Sequence, residues 1–232
     1  ALWMWRCEGR AWVRRLGWLA VLLVAAQSLL GGLRVTETND QLGIAHAALA
    51  HVFLVLVSMI ALVTSRTWLE TSAPQTPRVS PDGLTRIYCL LTSLILLQSL
   101  LAAAVRHQHA GLVIPDFPTT FGQWWPDLSA EAIAQYNQIQ FPGVSPPRIT
   151  AFRASLHLAH RALALVITCG VAWATWQTTR RLGIGHPLSR ICRGWMAFIL
   201  LQFSLGAATV WTGKAPGIAT LHVVFGPVTL VG

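Results

Sequence analysis

Charge is what this sequence has least of. Only 11% of its 232 residues are Asp, Glu, Lys or Arg, and just 8 are acidic, where a soluble domain carries about a quarter charged. That scarcity excludes a water-soluble globular fold. Cysteine is scarce too, with 4 in the chain. Cys89, Cys169 and Cys192 lie in or beside apolar stretches and Cys7 stands near the N-terminus. They pair in no loop, so no disulfide is expected and buried thiols acting as small hydrophobes are the plain reading. No apolar stretch is broken at its middle by Gly or Pro, which argues against a transporter. The first stretch lacks a small-residue cleavage site and is followed by five more, so it is not a signal peptide.

What the chain has is hydrophobicity, at 54% of residues. Six apolar stretches, at about 16–33, 42–64, 86–105, 152–177, 191–211 and 216–232, approach or reach the roughly 20 residues needed to cross a bilayer as helix. The expected fold is therefore an all-α integral membrane protein with six transmembrane helices. The net charge of +9 does not point to nucleic acid, because the basic residues gather in alternate loops. Eleven precede the first span or lie between spans two and three or four and five: Arg6, Arg10, Arg14, Arg15, Arg66, Arg78, Arg86, Arg180, Arg181, Arg190 and Arg193. Five fall on the other side: Arg34, Arg106, Arg148, Arg153 and Lys214. By the positive-inside rule the N-terminus is cytoplasmic, or on the matrix side of a mitochondrial inner membrane, and the hairpin loops face outward. Because the chain begins at Ala1 and its sixth stretch runs to Gly232, both ends are expected to be edges of a fragment.

One hairpin is written three times. A long apolar helix carries Gln-x-x-Leu-small-small near its outer end, with Gln27, Gln98 and Gln202, and the next helix carries His46, His160 or His222. Intramembrane histidines are costly to bury and mark function by default, and repetition in one order strengthens each match. Counting from the outer boundary, the three histidines fall within about one turn of a common depth, on the order of 10 Å inside. Equal depth suits two axial ligands of one iron, so bis-histidine ligation of heme within a helix bundle is the chemistry indicated. The competing reading is a hydrogen-bonded histidine in a polar bundle core, and it weighs most at His46, whose partner is not visible. His157 lies on nearly the same face as His160 and is an alternative ligand or a contact to the heme edge. His160 is preferred because it shares the repeat's depth. Arg106, Arg153, Lys214 and Arg161 are candidate partners for the anionic heme propionates, although snorkelling at the interface explains each equally well. The glutamines and the adjoining LGG (30–32) and LGAA (205–208) are assigned to helix packing.

The outer loop of the second hairpin, 106–151, is more than forty residues long and rich in Pro, Gly and Trp, which suggests a folded lid at the interface. The stretch 71–85 reads as a cytoplasmic linker between two units, 1–70 and 86–232.

At these residues the chain resembles heme A synthase, the membrane enzyme that converts heme O to heme A for cytochrome oxidase. The resemblance rests on Gly31-Gly32-Leu33-Arg34-Val35-Thr36, on Ala110-Gly111-Leu112 with Pro115-Asp116-Phe117-Pro118, on His160-Arg161 and on Leu221-His222. It implies two similar four-helix bundles, each able to hold a heme between two histidines. Residues 86–232 would form the complete C-terminal bundle, binding a heme B cofactor through the iron ligands His160 and His222. Residues 1–70 would be the closing half of an N-terminal, catalytic bundle, with His46 as a ligand to the substrate heme. The opening hairpin with its glutamate would be missing, so the chain alone would be inactive. His157 stands at the position matching that glutamate, and Ile114 stands where many relatives place a cysteine. The implied partners are heme O, membrane lipid, and heme O synthase or cytochrome oxidase assembly proteins, with a homo-oligomer also open. The implied location is a bacterial plasma membrane, in preference to the mitochondrial inner membrane. A non-catalytic membrane cytochrome b is the alternative.

Overall fold

The computed structural model of the protein describes residues 2–71, 83–138 and 148–231. Most of the expected linker (72–82) and part of the long loop (139–147) lie outside the described residues. Among those described, the regular elements are helices: Leu2–Cys7 (α1), Ala11–Thr36 (α2), Asp40–Thr64 (α3), Arg66–Thr71 (α4), Gly83–His107 (α5), Ala130–Tyr136 (α6), Ala151–Leu182 (α7), Pro187–Trp211 (α8) and Pro216–Val231 (α9). Their limits follow from local chemistry. Asn39, Ser129 and Thr150 each accept a backbone N–H at a helix start, as capping side chains do. Gly183, at φ 85°, ends α7, and Pro187 opens α8 at a position where the missing N–H costs nothing.

Five helices, α2, α3, α5, α7 and α8, are long and apolar enough to cross a membrane. Their large side chains mostly point away from the protein: Leu22 is 66% exposed, Leu29 65%, Val166 56% and Trp176 53%. Water would not tolerate such a surface, and lipid does. The protein is a multi-pass membrane protein. The sixth expected span corresponds to α9, an apolar helix of 16 residues that runs to the last described residue.

The chain divides into two compact units, Ala1–Asp82 and Gly83–Leu230, the last two residues aside. In the first, α2 and α3 form an antiparallel hairpin. The Gln27 side chain bonds α3 near its start, and the Arg10 guanidinium donates to the Val63 carbonyl at 2.9 Å near its end. Arg10 also clasps Glu8 through three hydrogen bonds. That side-chain bonding, seconded by the Arg10 backbone N–H, holds the Glu8 carboxyl down at about 2.

In the second unit, α5 packs on α7 and α7 on α8. Helix α9 joins α8 through the Trp195 indole N–H, which donates to the Thr229 carbonyl at 2.8 Å, and through the Phe198–Phe225 ring pair. Away from the long loop, three helices meet at one phenol. Tyr88 Oη of α5 lies 3.2 Å from the Ala174 carbonyl, 2.7 Å from Thr178 Oγ1 and 3.0 Å from Cys192 Sγ. With no water in the bilayer to serve these groups, they must serve each other. At the other end, the loop between α5 and α7 folds on a core of Val105, Ala110, Val113, Ile114, Ala132, Tyr136 and Ile149.

Replacing Tyr88 by Phe keeps the ring and removes all three contacts. The expected cost is about 1 kcal/mol, since hydrogen bonds between membrane helices are individually modest. It would be read as a lowered Tm of the detergent-purified protein, and an unchanged Tm would show that the phenol is not a bolt.

Candidate functional site

The three glutamines do more than pack. In each hairpin the side-chain amide donates to the backbone carbonyl of the hairpin's own histidine: Gln27 Nε2 to His46 O at 3.0 Å, Gln98 Nε2 to His160 O at 3.0 Å, and Gln202 Nε2 to His222 O at 2.8 Å. A carbonyl has two lone pairs, and one serves the helix, so the second is open to a neighbour. An amide bond across the helix interface accords with their assignment to packing; its acceptor, the histidine's own carbonyl, is what the repeat did not reveal. The Oε1 atoms of all three glutamines are buried without a hydrogen-bond partner.

The small residues beside the glutamines have a related role. A Cβ on Gly31 would sit 3.0 Å from His46 Cε1, and one on Gly206 would sit 3.0 Å from His222 Cε1. Each glycine is the floor on which an imidazole rests. In the second hairpin the equivalent position, four residues after Gln98, is Ala102.

The structure brings His160 and His222 within electrostatic reach of each other in the second unit. Both rings have a buried Nδ1 with no hydrogen-bond partner. His157, the alternative ligand, is 4% exposed and its Nε2 lies 3.3 Å from Arg161 Nε, which donates to it. His46 belongs to the first unit, where its Nδ1 lies 3.2 Å from the Gln27 carbonyl. Nearby His51 turns its Nδ1 to its own helix, onto the Ala47 carbonyl at 2.7 Å. Among the described residues, no three His, Cys, Asp or Glu side chains converge as a bare metal ion would require.

Of the expected propionate partners, Arg161 and Arg153 have protein acceptors. Arg161 donates to the Thr119 carbonyl at 3.1 Å and the Ile114 carbonyl at 3.2 Å, and lies 5.6 Å from the Phe117 ring centroid. Its guanidinium therefore latches the long loop onto α7. Arg106 is exposed at the end of α5. Lys214 is exposed in the α8–α9 turn, with a left-handed φ of 68°. Arg153 donates to the Arg148 carbonyl.

The loop's own fastening is the Pro115-Asp116-Phe117-Pro118 segment. Asp116 accepts from Thr119 Oγ1 at 2.6 Å, the Phe121 amide at 2.7 Å and the Gly122 amide at 2.9 Å. Phe121 and Gly122 both have left-handed backbones, at φ 51° and 76°. That conformation is strained for a bulky residue, and here the carboxylate bonds and the stacking of Phe121 on Tyr136, at 3.9 Å between centroids, hold it. Phe117 meets Phe203 and Trp211 edge-on, and the Trp211 indole donates to the Phe117 carbonyl at 2.9 Å. Thus one four-residue motif ties the loop to α7 and α8.

Burial alone would raise the Asp116 carboxyl, but the bonds from Thr119, Gly122 and Phe121 outweigh it and leave the group below its usual 3.8. A depressed carboxyl stabilises the fold above that value and ceases to do so as the pH falls through its folded-state value. Acidification through that depressed value should therefore release the Phe121 and Gly122 amides to hydrogen exchange. Asp116→Asn should speed that exchange about ten- to a hundredfold at neutral pH, the loss of about one charge-assisted bond. Equal protection in both proteins would show that the carboxylate does not hold the turn.

Comparison with curated proteins gives no match. The family described as cytochrome oxidase assembly protein, COX15-CtaA, matches residues 1–231. A helical membrane hairpin repeated with one glutamine and one histidine, matched over that length, places the chain in this cytochrome oxidase assembly family, the family of heme A synthase.

Proposed function

We propose that the protein serves the conversion of heme O to heme A, oxidising a heme methyl group to a formyl group by successive hydroxylations. The membership of the family supports a role in heme A synthesis and cytochrome oxidase assembly. The observation that carries the finer reading is the pair His160 and His222: two imidazoles on different helices, within electrostatic reach, each with a buried unpartnered Nδ1 and each pinned by a glutamine. Two nitrogen donors fit an iron porphyrin, which brings four equatorial nitrogens of its own, where they would not suffice for a bare ion. When bound there, heme B would supply one-electron transfer. His160 and His222 would present their Nε2 atoms to the iron, and Arg161 would keep the loop seated over that end of the helices. Arg106 and Lys214, exposed at the same end of their helices, remain candidate propionate partners.

On this reading α9 completes a four-helix bundle over 86–232, and residues 1–70 contribute a hairpin to a second bundle, with 71–85 between them. His46 is assigned to the substrate heme. The setting is a bacterial plasma membrane with the basic N-terminal segment cytoplasmic, and heme O synthase or other oxidase assembly proteins are the expected neighbours, a homo-oligomer being compatible. A second reading is a non-catalytic membrane cytochrome b, acting as electron carrier or heme-binding assembly factor.

Reduced-minus-oxidised spectra of the purified protein test the ligands. His160→Ala and His222→Ala should each abolish the six-coordinate b-type signal, and His157→Ala should keep it. Retention of the signal in both of the first two variants would overturn the assignment. The reaction is tested by extracting hemes from cells that supply heme O and express the whole natural protein. A formyl heme is expected, and its absence would leave the carrier reading.

A further inference from the structure

Three hydrogen bonds of identical construction call for a reason beyond packing. A glutamine that only closed a gap between helices would bond whichever group lay opposite. Here the donor is always Nε2 and the acceptor is always the carbonyl of the one histidine in the repeat, across 19, 62 and 20 residues of chain. Such a bond fixes the axial offset of the histidine-bearing helix at that very residue, and so the depth of its ring.

The glycine floor fixes a second coordinate. From the Cβ position of Gly31, His46 Cε1, Nδ1 and Nε2 lie at 3.0, 3.4 and 3.8 Å. From that of Gly206, the same atoms of His222 lie at 3.0, 3.6 and 3.6 Å. The two rings sit almost alike. In the first hairpin this pose brings His46 Nδ1 to 3.2 Å from the Gln27 backbone carbonyl. The exchange is then reciprocal, with each side chain bonding the other residue's backbone. A ligating histidine usually bonds through its second ring nitrogen, which sets its tautomer and plane. In the repeat the Gln202 carbonyl is the counterpart of the Gln27 carbonyl, and His222 Nδ1 is buried with no hydrogen-bond partner; a bond between the two would leave Nε2 with its lone pair.

We infer that Gln98 and Gln202 are positioning residues for the imidazoles of His160 and His222, and that Gly206 is the seat that orients the His222 ring, with Nε2 as the metal-facing atom. This rests on the heme reading above. The seat is absent from the second hairpin, where Ala102 stands at the glycine's place in the repeat.

The test uses the heme-loaded protein and carbon monoxide, which competes with a loosened axial histidine on reduced iron. Gln202→Met matches the side chain in length, removes the donor and also removes the buried unpartnered Oε1, so it should cost little in folding. Gln202→Met and Gly206→Ala should bind heme at wild-type stoichiometry, but with about five-fold more carbon monoxide bound at a subsaturating concentration and a new high-spin fraction. Ser28→Ala, in the other unit, where the hydroxyl bonds its own helix at the Val24 carbonyl, should leave both readouts unchanged. Wild-type carbon monoxide binding and spin state in both Gln202→Met and Gly206→Ala would overturn the inference while leaving the heme reading intact. A wild-type heme signal that survives His160→Ala and His222→Ala would overturn the heme reading itself. If Gln202→Met is lost from the membrane, Gln98→Met makes the same test at His160. Loss of both would count against the inference, because an equal-length swap that unfolds the chain marks a bond for stability alone.

Discussion

Everything about this site depends on where an imidazole sits along a helix, and one bond sets that: a glutamine amide on the second lone pair of the histidine's own carbonyl. In lipid the hydrophobic effect does not drive helices together, since the tails are as apolar as leucine. The long apolar helices here could slide past each other with little change in contact, their outward faces being uniformly greasy. A directed polar bond is what breaks that degeneracy. Placing it at the histidine makes the register most exact where exactness matters.

The second unit applies the same logic at three levels along its helices. Tyr88 gathers α5, α7 and α8 at one end. Gln98 and Gln202 act at the histidines, about 15 Å from Tyr88 along α5. At the loop end, Arg161 and Phe117 join α7, α8 and the folded loop. The first unit has a simpler version, with Arg10 on the Val63 carbonyl at one end of the hairpin and Gln27 near the other. Between these polar points the helices present little but hydrocarbon.

The helices were legible in the sequence because lipid imposes a crude rule, roughly 20 apolar residues per crossing. Five of six expected stretches became helices that satisfy it, and α9 is an apolar helix that runs to the last described residue. The glutamines and histidines were also legible, as a repeat. Their bond was not, because periodicity tells which residues recur and says nothing of which atom of one meets which atom of the other. Arg161 shows the opposite limit. Beside His160 it reads as a partner for an anion; the structure adds targets of another kind, the carbonyls of Ile114 and Thr119, backbone groups of a loop 47 and 42 residues away. Backbone acceptors leave no trace in side-chain pattern. Asp116 is similar: its motif could be recognised from the sequence, but its work of fastening two left-handed residues needed the φ angles.

The repeat's single departure carries the last step. Gly31 and Gly206 face their histidine rings so closely that even a methyl group would press on them, whereas the second hairpin has Ala102 at that place. If the glycines served only to bring helices close, alanine would be tolerated in all three hairpins and the difference would carry no meaning. The second hairpin differs from the others in one further way, for its histidine helix also carries His157, buried and bonded to Arg161. That pair lies within about one turn of His160 and ties α7 to the folded loop through the Thr119 and Ile114 carbonyls, whereas the other polar anchors of α3 and α9, at Val63 and Thr229, bind them only to neighbouring helical segments. A helix held by Arg161 as well as by Gln98 has less need of a glycine floor, so the alanine is tolerated where the extra anchor stands. The floor, the amide and the latch are thus three ways of fixing one quantity, the position of a ring in a medium that would otherwise leave it free to slide.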